Sequence, residues 1–158
     1  MSTFEKLTAA LEERRIPYRV CEHIPEGRCE AISKIRGNDL SQAMKAIVIM
    51  GKVTKKNKKY YLAVVPSDKS IDMEALKKYS GLEKVMVAPA DDAKKITDCE
   101  MGAVPPFSFS EELRLIADPS IKNNQEVVFN AGALDRSIFM KVDDYLAVAK
   151  PEFVNIIK

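Results

Sequence analysis

Two apolar runs joined by a basic loop decide the fold of this chain: Lys45-Ala-Ile-Val-Ile-Met50, Gly51-Lys-Val-Thr-Lys-Lys-Asn-Lys-Lys59 and Tyr60-Tyr-Leu-Ala-Val-Val65. The two outer stretches are nearly continuous runs of apolar residues with many β-branched side chains, which is typical of buried strands. The middle stretch is polar and begins with a glycine, as hairpin loops do. The sequence therefore predicts a buried β-hairpin over residues 45–65.

Helices and further strands alternate on both sides of this hairpin. Ser2 and Glu5 form a capping-box pattern at the first helix, and Asp72 and Asp143 are predicted to cap later ones. The predicted helices cover residues 3–15, 30–36, 72–79, 89–96 and 143–150, with a helical turn at 40–44. The other predicted strands cover 18–21, 84–87, 113–117, 126–130 and 137–142. A second hairpin over 126–142 argues against a purely parallel sheet. We therefore expect one mixed α/β domain over residues 1–158, with a curved or barrel-like sheet surrounded by helices.

Composition and charge exclude several classes of protein. The chain has 158 residues, of which 46% are hydrophobic and 30% charged, the profile of a soluble globular protein. Its net charge of +2 excludes a strongly basic coat but allows a local basic patch. No apolar run approaches the roughly 20 residues of a membrane span, and the start of the chain lacks the pattern of a signal peptide. A cytoplasmic location is expected.

The chain has few cysteine and histidine residues and lacks several common catalytic motifs. Cys21, Cys29 and Cys99 form no C-x-x-C pair, and His23 is the only histidine. These residues predict neither a disulfide framework nor a metal site. The glycines occur singly, so the glycine-rich nucleotide loops are absent, as are G-x-S-x-G and S-x-x-K. No cofactor is expected.

Two segments are candidates for catalysis. Lys45 opens a strand whose next residues are all apolar, so its head should lie in a cleft or at a sheet edge; the alternative is an ordinary surface lysine with a packed stem. In Met101-Gly-Ala-Val-Pro-Pro-Phe107, Gly102 allows close approach of a ligand and two prolines stiffen the loop. Backbone N–H groups held in this way suit a developing oxyanion, although a structural turn has the same composition.

Each of the other candidates has a structural alternative. In Asn130-Ala-Gly-Ala-Leu-Asp135, Gly132 permits a turn, and Asp135 either orients a substrate or simply forms that turn. His23 is a ligand-binding group or a hydrogen-bonded structural residue, and Cys21 lines a pocket or packs in the core. A cluster of lysines contacts phosphates or is a solvated hairpin tip: Lys52, Lys55, Lys56, Lys58 and Lys59.

Taken together, these pieces resemble the YbaK/prolyl-tRNA-synthetase-associated editing domain family. The segments that carry the resemblance are Arg19–Pro25, Gln42–Val48, Gly102–Phe107 and Asn130–Asp135. A lysine at the start of a strand, followed about 57 residues later by G-x-x-x-P, is fairly specific. The longer stretches Glu26–Gly37, Gly102–Phe109 and Tyr145–Asn155 are similar to a free-standing, YeaK-like subgroup of that family.

The resemblance implies a fold, an activity and a set of residues. It implies a barrel-like mixed sheet with surrounding helices, and hydrolysis of the ester of mischarged aminoacyl-tRNA, with serine and threonine as the acyl groups. The family's editing lysine, loop glycine and strand-start aspartate fall on Lys45, Gly102 and Asp135. The substrate-binding set is then Cys21, His23, Ala103, Pro106, Phe107 and Gly132. Cys21 departs from the aromatic residue of some members, which leaves the pocket size open.

The implied partner is the acceptor end of mischarged tRNA, with an aminoacyl-tRNA synthetase or an elongation factor as a further partner, and neither a membrane nor DNA. Two other hypotheses remain at this point. One is a deacylase specific for proline tRNA that has been mischarged with cysteine or alanine. The other is a non-catalytic module that binds amino acids or tRNA ends. Release of amino acid from charged tRNA would separate catalysis from binding.

Overall fold

The computed structural model describes residues 1–158, whose strands form two sheets. The five-stranded sheet has the order β4-β2-β3-β5-β8, made of Lys84–Val87, Met44–Lys52, Lys58–Pro66, Leu113–Ala117 and Glu152–Phe153. The three-stranded sheet has the order β1-β7-β6, made of Arg19–Glu22, Arg136–Lys141 and Glu126–Ala133. A parallel bridge between Ala43 and Val128 joins the two sheets, which do not close into one barrel.

The predicted hairpin is the centre of the larger sheet. β2 and β3 pair antiparallel from Met44 opposite Pro66 to Lys52 opposite Lys58. β5 then pairs parallel with β3, whereas β4 pairs antiparallel with β2. Antiparallel and parallel pairs therefore occur in one sheet, which confirms the prediction of a mixed α/β fold.

Five helices surround the sheets: α1 (Thr3–Glu13), α2 (Cys29–Arg36), α3 (Met73–Ser80), α4 (Ala90–Thr97) and α5 (Val142–Ala149). Ser2 and Asp72 cap α1 and α3 through side-chain hydrogen bonds to backbone N–H groups, as predicted. Gly37 and Gly81 end α2 and α3 in left-handed conformations, which glycine adopts without strain. No helix combines the length and the apolar character needed to cross a membrane.

Several local predictions were wrong. Asp143 lies in the first turn of α5 and does not cap it, because the helix begins one residue earlier at Val142. Pro89 occupies the N-cap position of α4 rather than its first turn. The sequence also did not predict β8 or the 3₁₀ helix Pro119–Asn123. Both are short and depend on contacts with distant residues, such as the pairing of β8 with Ile116 and Ala117.

The largest apolar cluster joins the two sheets to α1 and α5. It includes Leu7, Met44, Val64, Phe129 and Tyr145, all nearly inaccessible to solvent. A second cluster packs β2, β3 and β5 against α3 and the end of the chain, and a third packs the other face of β2 and β3 against α4. Both faces of the central hairpin are therefore covered, which explains why its sequence reads as a continuous apolar run.

Candidate functional site

A cavity of about 290 Å³ opens beside the first half of β2. β4 pairs with β2 only from Ile49 onward, so the earlier part of β2 has no neighbouring strand of this sheet on that side. The Val48 carbonyl accepts a hydrogen bond from Ala88 at 2.9 Å, and strand alternation places the main chain of Ala46 on the same, open side. The site is thus a gap at a sheet edge with mostly apolar walls.

Lys45 stands in the wall of this cavity. It is half-buried, and its backbone is fixed by antiparallel pairing with Val65 in β3. No carboxylate of the protein forms an ion pair with it. The structure therefore places Lys45 in a cleft, one of the two locations that the sequence allowed. Its ammonium group is available to a ligand.

Gly102 lies in the same wall, on the loop between α4 and β5. Its φ of +87° suits glycine, and a Cβ atom there would lie 2.9 Å from Gly27 Cα and 3.0 Å from Gly27 O. Neither the Gly102 N–H nor the Val104 N–H donates to a protein acceptor, and both residues line the cavity. The loop therefore has two backbone N–H groups without a protein acceptor, on residues that line the same cavity as Lys45.

Hydrogen bonds from three directions hold this loop. Asn130 Nδ2 donates to the Gly102 carbonyl at 2.7 Å, and the Gly132 N–H donates to the Ala103 carbonyl at 2.9 Å. The buried Tyr145 hydroxyl donates to the Pro106 carbonyl at 2.7 Å. The predicted stiff loop is thus fixed through its carbonyl groups and through the Ala103 N–H, which donates to the Glu100 carbonyl at 3.0 Å, whereas the Gly102 and Val104 N–H groups have no acceptor in the protein.

Asn130 and Arg36 are site residues that the sequence analysis missed. Arg36 lines the cavity, and its Nη1 donates to Ser137 Oγ at 3.0 Å and to Asn130 Oδ1 at 3.4 Å. Burial lowers the pKa of Arg36 to about 10, so the guanidinium remains charged at neutral pH. The available signals were weak: Asn130 is a polar residue within the apolar strand Val127–Ala131, and Arg36 ends a helix before a glycine.

The structure does not bring Asp135 to the cavity. Asp135 lies in the turn between β6 and β7 rather than at the start of a strand; its side chain is about half exposed and lies 3.7 Å from Arg136 Nε. Its backbone carbonyl accepts from the His23 N–H at 3.0 Å.

His23 is held by hydrogen bonds outside the cavity. Its Nε2 lies 2.8 Å from Ser137 Oγ, and its Nδ1 lies 2.9 Å from the Ile24 carbonyl. His23 therefore reaches the cavity wall only through Ser137 and Arg36, which matches the structural alternative for this residue.

The remaining predicted substrate contacts also lie outside the cavity wall. Cys21 packs beside Ala43, Val128 and Phe139, and it is Cys29 that lines the cavity. Ala103 and Pro106 are buried. Phe107 is in the core, with its ring centroid 5.1 Å from that of Tyr145.

Gly132 lies at a bulge within β6 and does not form the turn predicted for it. A Cβ atom on Gly132 would come within 3.0 Å of Phe4 N. This glycine therefore allows α1 to pack closely against β6; it does not line the cavity itself and reaches it only through the hydrogen bond from its N–H to the Ala103 carbonyl.

The predicted lysine cluster occupies the tip of the β2–β3 hairpin. We refer to Lys52, Lys55, Lys56, Lys58 and Lys59 as the basic tip; all five are exposed, and none forms an ion pair. Lys52 lies directly opposite Lys58 on one side and Lys84 on the other. Like charges in opposite positions repel each other, so this row of three lysines concentrates positive charge at one end of the larger sheet.

Histidine and cysteine ligands are few, with one histidine and three cysteines in the chain. No group of three or more His, Cys, Asp or Glu side chains is arranged to hold a metal ion. Cys99 is buried, and burial raises the pKa of its thiol. The chemistry of the site therefore has to be derived from Lys45, the Gly102 loop and the polar side chains around them.

Comparison with known proteins identifies the family. Residues 23–148 match the model of the aminoacyl-tRNA editing domain. The chain is 39% identical over 154 residues to the multifunctional Ser/Thr-tRNA deacylase ProXp-y of Escherichia coli, covering 97% of this chain and 92% of the relative. It is 23% identical over 154 residues to the prolyl-tRNA editing protein ProX of Acetoanaerobium sticklandii, covering 95% and 92%.

The fold is also shared with solved structures. A crystal structure of a candidate trans-editing enzyme for prolyl-tRNA synthetase superposes with a TM-score of 0.82 over 100% of this chain and 98% of the other, at 19% identity. At that identity the likeness concerns the fold alone. Together with the family match over residues 23–148 and the 39% identity above, it leads to one conclusion: the chain belongs to the aminoacyl-tRNA editing domain family.

Proposed function

We propose that this protein, with residues 1–158 as one editing domain, is a trans-editing deacylase that hydrolyses the ester of mischarged seryl-tRNA and threonyl-tRNA. One observation carries the proposal: Lys45 and Gly102 line a single, mostly apolar cavity, and both are free to contact a ligand. The 39% identity to an E. coli Ser/Thr-tRNA deacylase supports the choice of acyl group.

The reaction needs only modest catalysis by the protein, because an aminoacyl ester is already activated toward hydrolysis. Water attacks the ester carbonyl carbon, and the tetrahedral intermediate collapses with cleavage of the bond to the ribose oxygen. The proton lost by water ends on that ribose oxygen, and the neighbouring ribose hydroxyl is the nearest group that can relay it. Free amino acid and uncharged tRNA leave. No protein nucleophile is required, in agreement with the absence of a triad.

Lys45 and the Gly102 loop would act on the charge that develops during attack. The Lys45 ammonium holds the ester electrostatically, and the Gly102 and Val104 N–H groups donate to the oxyanion. Donors fixed before the reaction are effective because they need no reorganisation in the transition state. Asn130 supports this arrangement by holding the Gly102 carbonyl, and the Gly132 N–H holds the Ala103 carbonyl, which belongs to the same peptide group as the Val104 N–H.

The basic tip would bind the phosphates of the tRNA acceptor arm. Lys52 is seven residues along β2 from Lys45, about 24 Å at roughly 3.4 Å per residue. A substrate with its ester in the cavity and its phosphates at the basic tip would therefore lie along β2. The proposed partner is therefore mischarged tRNA, encountered in the cytoplasm. Association with an aminoacyl-tRNA synthetase or an elongation factor remains a prediction.

A panel of charged tRNAs tests the proposal. Seryl-, threonyl-, alanyl- and cysteinyl-tRNA would each be incubated with the protein, and release of free amino acid measured against spontaneous hydrolysis. We expect release of serine and threonine. Release of alanine or cysteine with serine untouched would favour the other deacylase specificities, and binding of all four without turnover would favour a non-catalytic module.

A further inference from the structure

Ser67 has an unused hydroxyl in the wall of the cavity. The residue is 8% exposed, lies just beyond the end of β3 and lines the cavity. Its backbone N–H donates to the Ala43 carbonyl at 2.8 Å, but its Oγ makes no hydrogen bond within the protein. No fully buried side-chain oxygen of the protein lacks a partner, so the Ser67 Oγ is accessible to solvent, and in the wall of the cavity it is available to a ligand.

The register of the hairpin places Ser67 near Lys45. Lys45 pairs with Val65, and the bond between Ser67 and Ala43 extends the same pairing by one more pair. Ser67 and Lys45 are therefore diagonal neighbours on one face, a relation that corresponds to roughly 7–8 Å. A small acyl group whose ester contacts Lys45 could thus reach Ser67 with its side chain.

The other polar side chains of the cavity are less suited to this contact. Asn130 donates to Glu26 and Gly102 and accepts from Arg36 and Ser137, so its amide is fully used. Arg36 carries a permanent charge and is held by Asn38, Asn130 and Ser137. Ser67 supplies a neutral group that both donates and accepts, as the hydroxyl of serine or threonine does.

We propose that Ser67 is the specificity-determining residue of the site and that its Oγ forms a hydrogen bond with the side-chain hydroxyl of the acyl group. This inference rests on the proposed function and assigns the residue that reads the substrate. A bound alanyl group would cover the Ser67 hydroxyl without giving it a partner, so the site favours a hydroxylated acyl group.

Binding of non-hydrolysable analogues tests the proposal separately from catalysis. The probes are 3′-seryl- and 3′-alanyl-amino-3′-deoxyadenosine, which carry an amide in place of the ester. Wild type should bind the seryl analogue about three- to tenfold more tightly, the effect of one neutral hydrogen bond. Ser67→Ala should lose this preference. Ser70→Ala, an exposed residue in the same loop, is the control and should keep it.

A preference that persists in folded Ser67→Ala, or that wild type lacks, would overturn the assignment. Ser67→Thr is the second variant: its added methyl group should lower hydrolysis of threonyl-tRNA relative to seryl-tRNA by about tenfold, and an unchanged ratio would count against the assignment. Failure of the proposed function has a different signature, because wild type would then leave every charged tRNA intact whatever the analogues show.

Discussion

Asn130 is the residue that ties the catalytic loop to the rest of the protein. Its Nδ2 donates to Gly102 at 2.7 Å and to Glu26 at 3.2 Å, and its Oδ1 accepts from Ser137 at 3.0 Å. One side chain thereby fixes both segments that meet at the Gly27–Gly102 contact. Such a role depends on partners 28 and 104 residues away, and no local pattern could predict it.

Replacing Asn130 by aspartate tests this role, because the shape is kept while both donors are lost. Two carbonyl oxygens would then face a carboxylate, and the unpaired groups should cost about 1–3 kcal/mol of stability. We expect single-turnover deacylation to fall by roughly 10–100-fold as the loop shifts. Asn124→Asp is the matched control, since Asn124 makes one exposed hydrogen bond to Ser41. Equal rates for the two variants would show that the loop does not need Asn130.

The sequence predicted some residues of the site and missed others, depending on how distinctive the local pattern around each residue is. Lys45 and Gly102 became candidates because an apolar strand and a G-x-x-x-P loop are visible in the chain itself, and the structure places both in the wall of the cavity. Arg36 and Ser67 were missed because an arginine at a helix end and a serine after a strand are common. Asp135 was a candidate because an acid beside a turn could orient a substrate, and the resemblance strengthened that role, but in this structure its side chain is about half exposed and does not line the cavity.

At the scale of elements, the β2–β3 hairpin shows what periodicity can predict. Its strands were predicted over 45–50 and 60–65 and extend over Met44–Lys52 and Lys58–Pro66. At the loop end the additional residues are Gly51, Lys52, Lys58 and Lys59, whose polarity masks the continuation of the strands. The division of the strands into two sheets was not predictable, because it depends on which strands pair across the whole chain.

The basic tip leads to a prediction about salt dependence. If its lysines contact tRNA phosphates, changing Lys55, Lys56 and Lys58 to glutamine should weaken binding and flatten the dependence of log affinity on log salt. Each lost contact should change the slope by roughly 0.7–0.9. The control is the pair Lys141→Gln and Lys150→Gln, exposed residues that flank α5 at another part of the surface. An unchanged slope in the tip variant would mean that the tip is only a solvated loop.

At the scale of the whole molecule, Asp118 links three parts of the chain. Its Oδ1 accepts from the Ser120 N–H and hydroxyl at 2.9 and 2.6 Å, and its Oδ2 accepts from Ile156 at 2.9 Å. Burial alone would raise the pKa of Asp118, but these hydrogen bonds to the carboxylate outweigh burial and lower it. The last residues of the chain are thereby held against β5 and the 3₁₀ helix that follows it.

This arrangement predicts a component of acid sensitivity. A carboxyl group whose pKa is lowered by folding stabilises the native state above its unfolded pKa, about 3.9, and loses that contribution as the pH falls through the folded value. The free energy of unfolding should therefore decline below about pH 4. Asp118→Asn should be less stable at neutral pH and should show a smaller decline. Urea denaturation between acid and neutral pH checks this, and parallel profiles for the two proteins would disprove the link.

Activity is also expected without a resident metal. With one histidine and no cluster of metal-binding side chains, the donor set does not suit zinc. We expect deacylation to survive treatment of the protein with a chelator, followed by assay in buffer with enough magnesium to keep the tRNA folded. Loss of activity that zinc restores would contradict this expectation.

The most direct test of the account is single-turnover deacylation of seryl-tRNA by wild type and Lys45→Ala, with a thermal melt of each. We predict that Lys45→Ala melts like wild type and releases serine about 10²–10³-fold more slowly, the range for removing one electrostatic group. Lys45→Arg should not restore the rate, because a planar fork replaces a compact charge. Lys78→Ala, on the exposed side of α3, should behave like wild type. Near-normal turnover by folded Lys45→Ala would contradict the account and move the chemistry to the Gly102 loop and the substrate.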